Sequence, residues 1–150
     1  LALSQNGNNF SYPYSFVDDG ILFIIDDSNK EFFDFNKIIY HINKFPNYND
    51  IYIIRHHNLT KSLRWSSNMK GPQDFIESKL INQKLNKNGD KNIKFIYGDG
   101  GGSYRLPRVD CRIIDKIVHI INGIGDYNND LILVVNRRKI YFMDLNLNIN

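Results

Sequence analysis

Three consecutive residues, Arg55, His56 and His57, form the cluster of the sequence best suited to chemistry. An arginine can hold a phosphate or sulfate through two parallel hydrogen bonds, and a histidine can exchange protons near neutral pH. Adjacent side chains of an extended chain point in opposite directions, so at most one histidine faces a given ligand. We therefore predict that Arg55 binds a ligand and that His56 and His57 are candidate catalytic groups. The alternative is a polar loop with one histidine hydrogen-bonded into the fold.

A glycine-rich segment at residues 98–103 is a second candidate site. Its bare backbone amides could surround a phosphate or sulfate, helped by a nearby arginine, and Asp99 is a third candidate catalytic residue. The spacing is neither that of a P-loop nor that of a dinucleotide-binding fingerprint, so a flexible loop is the alternative. The predicted ligand-binding residues of this segment are Gly100, Gly101, Gly102, Ser103 and Arg105.

Two aspartates, Asp26 and Asp27, follow an apolar run and offer a different chemistry. Paired carboxylates can bind a divalent cation or act as an acid and base. An aspartate just before a helix also caps free backbone amides, which is the alternative for both residues. No spacing of cysteines and histidines is typical of a zinc site, so we predict no metal site beyond these two candidates.

The elements that must position these residues alternate along the chain. Continuous apolar runs rich in β-branched residues predict buried strands at residues 21–25, 51–54 and 93–97. Apolar residues at helical spacing predict helices over residues 31–45, from Pro72 to Leu85, and from Pro107 to Gly123. Alternating strands and helices favour a Rossmann-like α/β fold: three layers, a mostly parallel sheet and helices on both faces. In such a sheet, ligands bind at the carboxyl ends of the strands.

The remaining segments complete the predicted organisation. Residues 131–135 and 140–143 flank a polar turn and predict a C-terminal β-hairpin, with its first strand beside the parallel ones. Residues 1–9 are expected to form a flexible arm, and residues 10–150 a single α/β domain. The aromatic segment 10–16 contains Pro13, which favours an edge position in a sheet.

The composition limits the classes of protein that fit. The chain has 150 residues, 42% of them hydrophobic, with a net charge of +3 that permits an anionic ligand without requiring one. Cys111 is its one cysteine, which excludes an intramolecular disulfide. No apolar run reaches the roughly 20 residues needed to span a bilayer, so we expect no membrane insertion and an intracellular location, cytoplasmic or organellar. Abundant Ile, Asn and Lys with a single alanine, Ala2, are typical of an AT-rich genome.

Part of the chain resembles the sulfotransferase family. The segment Asp50–Arg55 followed by Ser62 is similar to the strand and helix of that family that bind the 3′-phosphate of the sulfate donor. Residues 95–99, Pro107 and the following apolar segment resemble a downstream strand, turn and helix, so the likeness covers residues 50–124. It implies that Arg55 and Ser62 contact a phosphate. Ser62 lies one residue closer to the arginine than is usual, and no lysine-containing phosphosulfate loop precedes the segment.

Three functions follow as hypotheses. The leading one is binding of a nucleotide or other phosphate- or sulfate-bearing ligand at the carboxyl edge of the sheet, as a group transferase or hydrolase. The second is a non-catalytic interaction subunit of a larger assembly, with a protein partner bound through residues 10–16. The third is a small nuclease or toxin-like domain that uses His56 or His57 with Arg137 and Arg138. The sequence identifies no cofactor.

Overall fold

A computed structural model describes residues 11–28, 33–59, 76–87, 91–98, 109–122, 130–136 and 139–145 of the chain. These residues form strands and two helices, and the chain order begins with a strand pair. The elements are β1 (Tyr14–Asp18), β2 (Ile21–Ile25), α1 (Phe35–Lys44), β3 (Asp50–Arg55), α2 (Ser78–Leu85), β4 (Asn92–Tyr97), β5 (Val109–Ile114), β6 (Ile117–Asn122), β7 (Asp130–Asn136) and β8 (Lys139–Leu145).

Six strands form a mixed sheet in the order β1-β2-β3-β4-β6-β5. The four central strands are parallel, and each edge strand runs antiparallel to its neighbour. The predicted parallel strands at residues 21–25, 51–54 and 93–97 are therefore confirmed. Their continuous apolar sequences suit this position, because a central parallel strand buries side chains on both faces.

Both helices pack on the same face of the sheet. Alternate strand residues such as Leu22, Ile51 and Ile93 form a buried cluster with Ile38 of α1 and Ile81 of α2. This arrangement agrees with the strand order, because β2, β3 and β4 succeed one another in one direction and never reverse across the sheet. The predicted three-layer fold with helices on both faces is therefore wrong for the part of the chain that the structure describes.

The helix predicted from Pro107 to Gly123 is the main source of that error. Residues 109–122 form two strands, β5 and β6, joined by a tight turn at Asp115 and Lys116. Both turn residues have positive φ, 48° and 69°, which matches the right-handed twist of a hairpin. Consequently β6, and not the strand at residues 131–135, lies beside β4.

The predicted C-terminal hairpin is confirmed, but it forms a separate two-stranded sheet of β7 and β8. Ile140 of β8 packs against a smaller cluster on the face of the main sheet opposite the helices, where Phe23, Tyr52 and Ile120 are buried. The predicted arm at residues 1–9 lies outside the described residues. Neither α1 nor α2 is long and apolar enough to cross a bilayer.

Candidate functional site

The carboxyl ends of β2, β3 and β4 bring polar residues together at one edge of the sheet. Ile25 is paired with Ile54, and Arg55 with Tyr97, so the strands end nearly level. The backbone amide of Asp26 donates to the carbonyl of Ile54 at 2.9 Å, which extends the pairing of β2 and β3 by one bond. Asp26, Arg55 and Tyr97 therefore meet at the place where open α/β sheets bind ligands.

Arg55 is the centre of this edge, and its side chain has 0% exposure. Its Nη1 lies 2.9 Å from Oδ2 of Asp26, a carboxylate with 9% exposure, and its Nε donates to the carbonyl of His57 at 2.8 Å. The guanidinium carbon lies 5.2 Å from the centre of the Phe33 ring, a favourable cation–π contact. Burial lowers the pKa of Arg55, while Asp26 and, more weakly, Asp27 oppose that shift. The guanidinium keeps its positive charge, which the carboxylate of Asp26 balances inside the protein.

A second link ties the loop after β2 to the loop after β3. Oγ of Ser28 lies 3.0 Å from Nδ1 of His57 and accepts the backbone amide of the same residue at 3.2 Å. Ser28 is buried, and His57 is half-buried. A serine beside a histidine can act as a nucleophile and base, but a hydroxyl that bonds both the ring and the backbone also fixes the loop.

His56 turns towards a different neighbour. It is exposed, and its ring lies nearly perpendicular to that of His57. A Cβ atom placed on Gly98 would come within 3.1 Å of Nδ1 of His56. Gly98, the first residue after β4, thus leaves space for the imidazole of His56 to approach the backbone. The backbone amide of Gly98 donates to the carbonyl of Arg55 at 3.1 Å.

A buried tyrosine–histidine pair lies one strand further along. The hydroxyl of Tyr97 is 2.9 Å from Nδ1 of His119, and the two rings are stacked with an angle of 4° between them. Phe95 stacks against both rings. Burial raises the pKa of Tyr97 and lowers that of His119 to about 4, so both groups are neutral at pH 7. The helix predicted from Pro107 to Gly123 contained His119, and that prediction is wrong, since His119 lies buried in β6.

A cavity of about 700 Å³ opens beside this edge. Asp26, whose carboxylate neutralises Arg55, is one of the residues of its wall. The other charged residues of the wall are Asp34, Lys37, Lys84 and Lys87. Its remaining lining residues are Pro13, Phe33, Phe35, Asn36 and Ile39. The three lysines were not singled out in the sequence, because they come from two separate helical regions that only the fold brings together.

Several predicted site residues lie outside the described residues, so their predicted roles stay predictions. They are Ser62, Asp99, Gly100, Gly101, Gly102, Ser103, Arg105, Arg137 and Arg138. Among the residues that the structure does describe, Arg55, His56, His57 and Asp26 meet at one edge, as the strand order requires. No three His, Cys, Asp or Glu side chains are grouped as a metal site within these same ranges, and Asp26 pairs with Arg55.

Three residues of the predicted partner-binding segment 10–16, those from Tyr14 to Phe16, lie on the edge strand β1, and Phe10 lies outside the described residues. Tyr12, Tyr14 and Phe16 form a row of neighbouring rings that continues onto Phe23 of β2. Tyr12 and Phe16 are 40% and 43% exposed. The edge position expected from Pro13 is thus found for the strand that follows it, and a protein partner for this row stays a prediction.

Comparison with known proteins gives no match: no family model, no curated protein and no solved structure is significantly similar to this chain. The resemblance to sulfotransferases therefore remains a hypothesis based on residues 50–124.

Proposed function

We propose that the cavity beside the carboxyl edge of the sheet binds a small ligand that carries a phosphate or sulfate group. The observation that carries this proposal is the convergence of Lys37, Lys84 and Lys87 on one cavity wall. Ammonium groups are common phosphate ligands because each presents a concentrated positive charge with three donors. The function is binding, and a transfer or hydrolysis reaction would require further groups.

Of the three lysines of the wall, only Lys37 is paired with a carboxylate of the wall. Asp26 is already neutralised by the buried guanidinium of Arg55 at 2.9 Å. Asp34 caps α1, with its carboxylate accepting the amide of Lys37 at 3.1 Å, and this uses one of its oxygens. Its other oxygen lies 3.7 Å from Nζ of Lys37, a loose and exposed pair. The lysines of α2 and of the turn after it therefore contribute charge that the described carboxylates do not balance.

The size and the apolar part of the wall fit a ligand larger than a bare ion. A volume near 700 Å³ lies within the range of about 300–1,000 Å³ found for small-molecule sites. Phe33, Phe35 and Ile39 supply apolar surface for the part of the ligand that carries no charge. In this proposal the lysines meet the anion, because the side chain of Arg55 has no exposed surface and serves to hold Asp26 at the wall.

The expected result is stabilisation of the protein by phosphate-bearing probes. We would measure the melting temperature with inorganic phosphate, sulfate, pyrophosphate or adenosine monophosphate, against sodium chloride at equal ionic strength. A probe at about 100 times its dissociation constant adds about 2.7 kcal/mol, which corresponds to a rise of about 5–10 °C for a domain of this size. Lys84→Gln should weaken the effective probe about tenfold, because it removes one charge-assisted contact.

Lys79→Gln is the matched control, because Lys79 is an exposed lysine of the same helix and is outside the described lining of the cavity. It changes the net charge of the protein by the same amount and should leave binding unchanged. Equal weakening by both variants would mean that the probe responds to overall charge and not to the cavity. No stabilisation by any of the four probes would contradict the proposal directly.

A further inference from the structure

The strand β5 is one edge of the six-stranded sheet. Among the described residues it pairs only with β6, on its inner side. Its residues Cys111, Arg112 and Ile113 are exposed, and Ile113 is 74% exposed. An edge strand with an exposed large apolar side chain readily pairs with another strand, because the backbone groups of its outer side point away from the sheet. No proline protects β5, whose sequence is Val-Asp-Cys-Arg-Ile-Ile.

We propose that β5 pairs in antiparallel fashion with β5 of a second copy of this chain, forming a two-fold symmetric dimer. The charge pattern of the strand selects this partner. When the symmetry axis passes through Cys111, the register places Asp110 opposite Arg112 of the second copy, and the reverse pair follows by symmetry. The same register places Val109 opposite Ile113. Opposite charges and paired apolar residues are both favourable neighbours across antiparallel strands.

Other antiparallel registers lose this match. An axis through Asp110 places two carboxylates opposite each other, and an axis through Arg112 places two guanidiniums opposite each other. An axis between Cys111 and either neighbour sets a charged residue opposite the thiol. Like charges directly opposite are destabilising, so only the register centred on Cys111 satisfies both charged positions. The resulting dimer joins two six-stranded sheets into one continuous sheet.

Cys111 then becomes a reporter of the register. Residues directly opposite in antiparallel strands have Cα atoms about 4.5 or 5.5 Å apart, which lies within the range of disulfides. In this register the free thiols of Cys111 in the two chains would lie opposite each other across the symmetry axis. Oxidised glutathione should therefore link two chains through a disulfide between their Cys111 residues. The two thiols lose two protons and two electrons, and one glutathione disulfide is reduced to two glutathione molecules.

The test is a charge exchange on the full chain, read by sedimentation equilibrium under reducing conditions. The wild type should show a concentration-dependent dimer. Arg112→Asp and Asp110→Arg should each weaken it at least tenfold, because each turns two attractive pairs into two repulsive ones. The double variant Asp110→Arg/Arg112→Asp restores complementary charges and should regain the wild-type dissociation constant within about threefold. Melting curves confirm that each variant is folded.

Arg112 also interacts within its own chain. Regained dimerisation in the double variant shows that the dimer depends on complementary charges at positions 110 and 112 and not on which side chain stands at either position. Cross-linking gives an independent result: the wild type and the double variant should form a disulfide-linked dimer several times faster than Arg112→Asp, and Cys111→Ser should form none. A wild type that stays monomeric up to millimolar concentration overturns the proposal, as does a double variant no better than the single ones.

Discussion

Replacing Arg55 with Met is expected to lower the free energy of unfolding by about 3–5 kcal/mol, the usual cost of removing one partner from a buried ion pair. The substitution leaves the carboxylate of Asp26, which is 9% exposed, without the guanidinium that lies 2.9 Å away. It also removes the Nε–H group that donates a hydrogen bond to the carbonyl of His57. Methionine fills a volume similar to that of arginine. The loss of stability therefore comes from the missing charge and hydrogen bonds more than from a cavity.

Two companion variants separate these contributions in urea unfolding. Arg55→Lys keeps the charge but loses the planar fork and the Nε donor, so it should cost about 1–3 kcal/mol. The double variant Asp26→Asn/Arg55→Met removes both charges and should recover part of the loss of the single variant, because no unpaired carboxylate remains. Lys37→Gln breaks an exposed pair and should cost less than about 1 kcal/mol.

This set of variants also distinguishes a structural Arg55 from one kept mainly for a ligand. If Arg55→Met and Arg55→Lys both unfolded at the wild-type urea concentration, the buried pair with Asp26 would not stabilise the fold. The guanidinium would then be a group held for a ligand, as the sequence alone predicts. A large loss of stability from Arg55→Met, with partial recovery in the double variant, shows that Arg55 stabilises the fold through its ion pair with Asp26, a residue of the cavity wall.

The central strands could be predicted because their sequences allow few alternatives. The run Ile21–Ile25 is apolar at every position, and only a strand buried on both faces accommodates it in so short a segment. The hairpin from β1 to β2 could also have been predicted. Asp19 and Gly20 have positive φ, 45° and 76°, and an Asp-Gly pair is among the strongest signals for a two-residue hairpin turn.

The segment of β5 and β6 shows why the second helical layer was predicted wrongly. Val109, Ile113, Ile117 and Ile121 lie four residues apart, which fits one face of a helix. Seven of the thirteen residues from 109 to 121 are Val or Ile, a composition that disfavours helices because branching at Cβ restricts the side chain. The turn at Asp115 and Lys116 carries no glycine or asparagine, so no local signal divided the segment into two strands.

The candidate site was predictable only in part. The strand order brings Asp26, Arg55 and His57 together at one edge. This follows because β2 and β3 are parallel neighbours, so the residues after their carboxyl ends meet at the same edge for any loop sequence. Which groups pair with one another could not be predicted, since the Asp26–Arg55 contact depends on how two loops close. The histidine of β6 was missed because the strand itself was missed.

His119 should make the stability of the protein depend on pH in a specific window. Burial lowers its pKa to about 4 from an ordinary value of 6.5. The unfolded chain therefore takes up a proton at higher pH than the folded chain does, and stability falls as the pH is lowered. The contribution is fully present above about pH 6.5, is lost progressively as the pH drops to about 4, and amounts to about 3 kcal/mol.

The measurement is the free energy of unfolding in urea at several pH values from 7.5 to about 3.5 in the wild type and in His119→Phe. Phenylalanine keeps the stacking with Phe95 and Tyr97 but removes the hydrogen bond between His119 Nδ1 and the Tyr97 hydroxyl, so the variant should be less stable at pH 7. It has no imidazole to protonate, so its stability should fall by about 3 kcal/mol less than that of the wild type across the window. Carboxylates that titrate in the same range are common to both proteins and cancel in the difference. Identical slopes for the wild type and His119→Phe would show that His119 is not held neutral beside Tyr97.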